Sequence, residues 1–244
     1  MATASGTTTI QAEGAAVIDR GATATLALDG IDAIPGQEGI FWGGSLRFVV
    51  APDSSTILLK YDANGNLAYK VRNGQADHFT FDAENHLTQF KRNGVVLESY
   101  AYDADGNRIK VVRSGLVTYQ PFLHYQVDNG TVEKYYSFGG QRVAMKRGTV
   151  LTYLHNDHLG SPVLTTNASI ATQTYYAYGK VRTFTGSFPT RYQFTGQYLD
   201  NSSLVYMNAR YYDPQVGMFI SPDTMVPDAL DVFAYRSEER RVGK

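Results

Sequence analysis

A seven-residue phrase is written three times between Tyr61 and Gly115, and it leaves few folds open. It reads Tyr61-Asp62-Ala63-Asn64-Gly65-Asn66-Leu67, then Phe81-Asp82-Ala83-Glu84-Asn85-His86-Leu87, then Tyr102-Asp103-Ala104-Asp105-Gly106-Asn107-Arg108. A period of about twenty residues marks a repeat architecture. A second turn signal falls between the copies, at Arg72-Asn73-Gly74, Arg92-Asn93-Gly94 and Arg113-Ser114-Gly115. Each repeat therefore holds two turns with a strand-length segment on either side. Asn-Gly and Asp-Gly are expected to supply the two positive-φ residues of a type I′ hairpin turn. The Asp after each aromatic is expected to accept hydrogen bonds from the amides of the turn that it enters. Between the turns, runs such as Leu67-Ala68-Tyr69-Lys70-Val71 and His78-Phe79-Thr80-Phe81 alternate or nearly alternate apolar and polar residues. That period of two is the mark of a half-buried strand.

The phrase Tyr-Asp-x-x-Gly-Asn at this spacing resembles the YD repeat of bacterial Rhs proteins, relatives of the toxin-complex C subunits and of teneurins. The resemblance runs from about residue 56 to Tyr235. It implies an all-β fold, a YD-repeat hairpin meander forming part of a spiral β-sheet shell. Such a shell encloses a C-terminal toxin that varies between members.

Composition agrees with strands. Tyr occurs 18 times and Phe 12 times, and these side chains suit a pleated surface with one buried and one wet face. The net charge of −1 gives no electrostatic case for nucleic acid or an acidic membrane. Without cysteine there is no disulfide and no thiol catalysis. No apolar run reaches the roughly 18 residues of a membrane-spanning helix. The opening Met1-Ala2-Thr3-Ala4-Ser5-Gly6 has neither the basic nor the apolar part of a Sec signal.

Residues 1–55 read as degenerate β repeats or an N-terminal cap, with strands expected at Ile40-Phe41-Trp42 and at Leu46-Arg47-Phe48-Val49-Val50. Trp42 is weak support for carbohydrate binding. Residues 56–152 carry the hairpin repeats. After Gly115 the phrase degrades while the strand pattern continues through Val117-Thr118-Tyr119, Phe122-Leu123-His124-Tyr125, Val132-Glu133-Lys134-Tyr135-Tyr136 and Arg142-Val143-Ala144-Met145. Residues 153–235 resemble an incomplete Rhs repeat-associated core domain. The motifs are His155-Asn156-Asp157-His158-Leu159-Gly160-Ser161-Pro162, Tyr178-Gly179, Phe194-Thr195-Gly196-Gln197-Tyr198, Arg210-Tyr211-Tyr212-Asp213-Pro214 and Ser221-Pro222-Asp223.

Two groupings suggest chemistry. His155, Asp157 and His158 are acceptable zinc ligands. On a strand, however, the two imidazoles point to opposite faces, so they read as turn hydrogen-bonders and no metal is expected. Asp213, Asp223 and Asp228 beside Arg210 could hold a proton-sharing carboxylate pair for peptide hydrolysis. The resemblance sharpens this reading, because it implies what Rhs shells with a toxin cargo commonly do, which is to cleave themselves just after the core domain with an Arg and two Asp residues. By motif position Arg210 and Asp223 are the matching residues. The second Asp is expected in a later Asp-Pro-x-Gly phrase that this sequence does not contain, and Met218 and Thr224 stand where members have Arg and Pro. The expectation is half of an aspartyl autoprotease site, inactive as it stands, in a chain that is not itself an enzyme.

The final Arg236-Ser237-Glu238-Glu239-Arg240-Arg241-Val242-Gly243-Lys244 looks like the translation of a sequencing-adapter oligonucleotide, which makes residues 236–244 an expected artefact and the chain an expected truncation. No cofactor is implied. The partners implied are the toxin cargo of the parent chain, an immunity protein and a secretion-apparatus component, at a secreted or cell-surface location. An alternative is a cell-surface YD-repeat protein for adhesion or carbohydrate binding.

Overall fold

The computed structural model describes residues 46–50, 55–168 and 170–222. Two antiparallel sheets account for all of its strands. The first opens with β1 (Leu46–Val50), β2 (Thr56–Tyr61), β3 (Leu67–Arg72), β4 (Gln75–Phe81) and β5 (Leu87–Arg92). It continues through β6 (Val95–Tyr102), β7 (Arg108–Arg113), β8 (Leu116–Phe122), β9 (Tyr125–Asp128) and β10 (Thr131–Phe138). It ends with β11 (Gln141–Arg147), β12 (Val150–Asn156), β13 (Pro162–Asn167), β14 (Ala171–Tyr175) and β15 (Val181–Thr185). These 15 strands pair strictly in chain order. Each strand pairs antiparallel with the next, which is what repeated local turns dictate.

The two turn types differ in mechanism. Asn73-Gly74, Asn93-Gly94, Ser114-Gly115 and Asn129-Gly130 each place both residues at positive φ, the tight type I′ geometry expected of them. The YD turns do not follow that expectation: at Asn64-Gly65 and Asp105-Gly106 only the glycine has positive φ. They are longer loops closed by the aspartate. Asp62 Oδ1 accepts from the amides of Asn64 and Asn66 at 2.9 and 2.8 Å. Asp82 does the same for Glu84 and His86, and Asp103 for Asp105 and Asn107. In the second copy Asn85 takes the left-handed position at φ 63°, a role asparagine tolerates. Neighbouring loops are tied together: Asn66 Nδ2 donates to Asn85 Oδ1 at 2.8 Å, and His86 stacks on Tyr102.

A fourth loop of this kind closes at Asp157, whose Oδ1 accepts from Leu159 and Ser161 at 2.8 Å each. The segment that resembles the opening of the core domain is thus structurally one more YD turn. Phe122-Leu123-His124-Tyr125, expected as a strand, is instead the hairpin between β8 and β9. Pro121 in β8 donates no ladder bond, and the register shifts between Tyr119 and Phe122. The expected strand at Leu46–Val50 is β1; Ile40-Phe41-Trp42 lies outside the described residues.

The second sheet has four short strands, β16 (Tyr198–Leu199), β17 (Val205–Met207), β18 (Arg210–Asp213) and β19 (Met218–Phe219), also in chain order. It packs against one face of the large sheet. Ile57, Leu59, Leu67, Phe79, Leu87, Phe90, Tyr100 and Val111 share one buried cluster with Leu204, Tyr211 and Ile220. Along β2, Ile57, Leu59 and Tyr61 are buried on the inward side of the pleat, and Leu58 on the other side is buried as well.

Candidate functional site

The most heavily built part of the molecule is the seam between the two sheets, and charged side chains hold it. Glu98 on β6 and Arg113 on β7 are a direct cross-strand pair, joined at 3.0 Å through Arg113 Nε. Asp200 enters from the loop that follows β16. It accepts from Arg113 Nη2 at 2.9 Å and from Arg108 Nη1 on its other oxygen. Glu98 reaches back across the seam, accepting from the amides of Asn201 and Ser202 at 3.1 and 2.7 Å and from the Tyr100 hydroxyl at 2.9 Å. Two arginines face two carboxylates, so the cluster closes without net charge. That is the condition under which burial of ions is tolerated.

Arg108 is fully buried inside a cage of tyrosine rings. Its guanidinium carbon lies 4.1 Å from the ring centre of Tyr206, 4.9 Å from Tyr198, 5.5 Å from Tyr100 and 5.7 Å from Tyr211. Burial opposes the charge on Arg108, but Asp200 and the surrounding phenols outweigh it and raise its pKa above the ordinary range. Burial, reinforced by Asp200, raises the Glu98 carboxyl despite Arg113 and the two amides. The Tyr100, Tyr102 and Tyr211 phenols are pushed up by burial and stay neutral. They therefore act as hydrogen-bond donors and ring surfaces rather than as bases.

Two further clusters repeat the pattern. Lys70 donates to Asp213 of β18 at 2.8 Å and lies 3.7 Å from Asp77, which Arg92 also holds at 2.7 Å. Asp213 is thus engaged by a cation of the large sheet. Farther along the face, Arg113 Nη1 donates to Thr118, Thr118 to Asp128, and Arg147 bonds both Asp128 and Glu133. The repeat origin of these pairs is visible: Arg92 reaches Asp77 just as Arg113 reaches Glu98, each across one hairpin.

Arg210, buried on β18, lays its guanidinium over the Phe219 ring at 3.8 Å and donates to the Ser221 carbonyl at 3.5 Å. Asp223 and Asp228 lie outside the described residues, as does the segment 236–244. His155 bonds the Thr166 hydroxyl at 2.9 Å from an exposed position on β12, and His158 is exposed in the Asp157 turn. Among the described residues no three His, Asp or Glu side chains are grouped to hold a metal. The repeat residues Tyr61, Asp62, Gly65, Asn66, Phe81, Asp82, Tyr102, Asp103, Gly106 and Asn107 all lie in or beside the turns described above.

Sequence reading did not single out Arg108, Arg113, Glu98 or Asp200. One signal was present: the last position of the repeated phrase is Leu67, then Leu87, then Arg108. An arginine standing where its siblings are buried leucines needs a buried partner. Only the fold supplies it, from Asp200 in the second sheet.

No family model matches the chain. A tRNA3(Ser)-specific nuclease, WapA, from Bacillus spizizenii is 32% identical over 184 residues, which covers 68% of this chain and 8% of that protein. Double-stranded DNA deaminase toxin A from Burkholderia cenocepacia is 30% identical over 213 residues, 67% of this chain and 15% of that one. The chain thus spans a small share of the length of the curated relatives that it matches. Among solved structures, a crystal structure of TcdB2-TccC3-Cdc42 superposes with a TM-score of 0.60 at 19% identity, over 80% of this chain and 12% of that one. A Photorhabdus luminescens Tc holotoxin pore superposes with a TM-score of 0.58 at 16% identity, over 81% of this chain and 13% of that one. The all-β meander is the fold that these structures share.

Proposed function

We propose that this chain, which belongs to the Rhs/YD-repeat family, forms part of the wall of a secreted or cell-surface β-shell that encloses a toxin. The observation that carries this reading is the seam. An unbroken hairpin meander has a second sheet fastened to one face by buried, charge-balanced pairs, and a wall braced from within needs such a fastening. Hairpin repeats bury their apolar faces against neighbours and so extend readily into a continuous surface. The nuclease and deaminase activities in the relatives' names belong to those proteins. Under this reading chemistry resides in the cargo, and immunity and secretion partners act on the whole toxin. Residues 56–152 serve as wall and 153–235 as the region that closes on the cargo. Arg210 and Asp223 are one half of a self-cleavage site whose second aspartate must come from elsewhere.

A chimera tests this proposal. Residues 56–222 replace the matching segment of a complete Rhs toxin, and the toxin segment is then challenged with protease. Protection equal to that of the parent toxin supports a wall role; digestion at the rate of the free toxin segment refutes it. A second reading, adhesion through carbohydrate, draws on the opposite face, where exposed Tyr136 and Tyr153 flank Ala144 in register. Glycan-array binding that Tyr153→Ala abolishes would favour that reading.

A further inference from the structure

Between the seam and the YD-turn end of strands β7 to β13 lies a cleft of about 840 Å³, within the roughly 300–1,000 Å³ range of ligand sites. Its lining is ordered by chemistry. One wall is a relay of rings and cations: Arg108 over Tyr198, Tyr198 edge-on to Tyr192 at 5.2 Å, and Arg142 over Tyr192 at 3.5 Å. Arg142 differs from the seam arginines. It is half-buried, donates Nη1 to the Gly196 carbonyl at 2.6 Å, and has no carboxylate partner among the described residues. Arg108 Nη2 and the Thr195 hydroxyl are buried in the same lining and have no hydrogen-bond partner among the described residues. Thr195 is also held at φ 52°, a strained position for a β-branched residue.

The remaining lining suits a polypeptide. Gln141 and Gln197 also line the cleft, and their side-chain amides, each able to donate and to accept, have no protein hydrogen bond among the described residues. At the lip, Phe122 and Leu123 of the β8–β9 hairpin are 63% and 59% exposed. We infer that this cleft binds an extended acidic peptide segment. Arg142 receives the carboxylate, the glutamine amides pair with the peptide backbone, and the Phe122–Leu123 lip takes an apolar side chain. A guanidinium with free N–H groups recognises a carboxylate in paired geometry. An uncompensated cation beside unpaired amides and an apolar lip favours a peptide over a purely polar ligand. The inference rests on the shell reading only in making the enclosed cargo the source of the segment.

The test uses the full chain and fluorescence anisotropy with a labelled eight-residue peptide of alternating phenylalanine and glutamate. Its glutamine counterpart and Arg182→Gln on exposed β15 are the controls. The glutamate peptide is expected to bind at least about tenfold more tightly than the glutamine one, since each factor of ten corresponds to about 1.4 kcal/mol. Arg142→Gln is expected to weaken binding about tenfold while the far-UV circular dichroism spectrum stays that of the parent, whereas Arg182→Gln leaves binding intact. Gln120→Glu, which sets a carboxylate beside Arg108 Nε, is expected to weaken it as well. Equal binding of the two peptides, full retention by Arg142→Gln, or no binding at all overturns the inference. Binding of polygalacturonate in place of the peptide overturns it too and assigns the cleft to an acidic glycan. No shell is needed for this measurement, so its failure is distinct from failure of the protection assay.

Discussion

At the scale of single residues, the same amino acid is used in two ways according to what faces it. Asp62, Asp82, Asp103 and Asp157 turn inward on their own loops and cap two amides each. Asp200 begins a backbone loop of the same closure, with its amide donating to the Leu204 carbonyl at 2.9 Å, yet its carboxylate is spent on Arg108 and Arg113. Asp200→Asn leaves two buried guanidinium groups short of a charge partner, and it is expected to cost about 3–5 kcal/mol in denaturant unfolding. Asp157→Ala removes two hydrogen bonds to backbone amides and should cost about 1–3 kcal/mol by the same measurement. Hydrogen bonds from the Asn107 amide first, then from the Asn107 side chain and the Asp105 amide, hold the Asp103 carboxyl below its ordinary value. A depressed folded-state pKa adds stability above the unfolded value, and this is lost as pH falls through the folded one. An NMR titration should place the Asp103 midpoint below that of an unfolded peptide and show the Asn107 amide shift moving with it.

At the scale of elements, the hairpins were legible because each is decided within about ten residues by its own turn chemistry. The YD loops were legible as turns but not as the correct turn, since type I′ geometry and an aspartate-capped loop share the Asn-Gly spelling. The β8–β9 hairpin was missed because Phe122-Leu123-His124-Tyr125 has strand-like composition and no glycine. Between elements, Gly179 marks where the connection after β14 meets the second sheet. A Cβ there would lie 2.4 Å from the Phe194 ring, and φ is 85°. Gly179→Ala must therefore displace Phe194, which is buried with Val205, Met207, Tyr212 and Phe219. A loss of about 1–3 kcal/mol is expected, with the increase in amide exchange concentrated in β16–β19.

At the scale of the whole molecule, a meander paired in strict order has an edge at each end, and among the described strands these are β1 and β15. β15 carries Phe184 at 73% exposure and is otherwise nearly all exposed. Such an edge is a template for further pairing. The chain is expected to associate in a concentration-dependent way, and Phe184→Lys should shift light scattering toward the monomer; unchanged association would place the contact elsewhere. The sequence by itself determined the hairpin repeats and their order, because hairpin pairing is local and repeats state it several times; the closure of the YD loops and the β8–β9 turn lay beyond it. It also pointed to the Rhs/YD-repeat family. Only the tertiary structure decided that β16–β19 fold back on the meander, that Arg108 and Arg113 meet Asp200 across 92 and 87 residues, and that a cleft opens beside them. Contacts of that separation leave no period in the chain. They arise where an apolar face must be covered and where each buried charge must find its opposite.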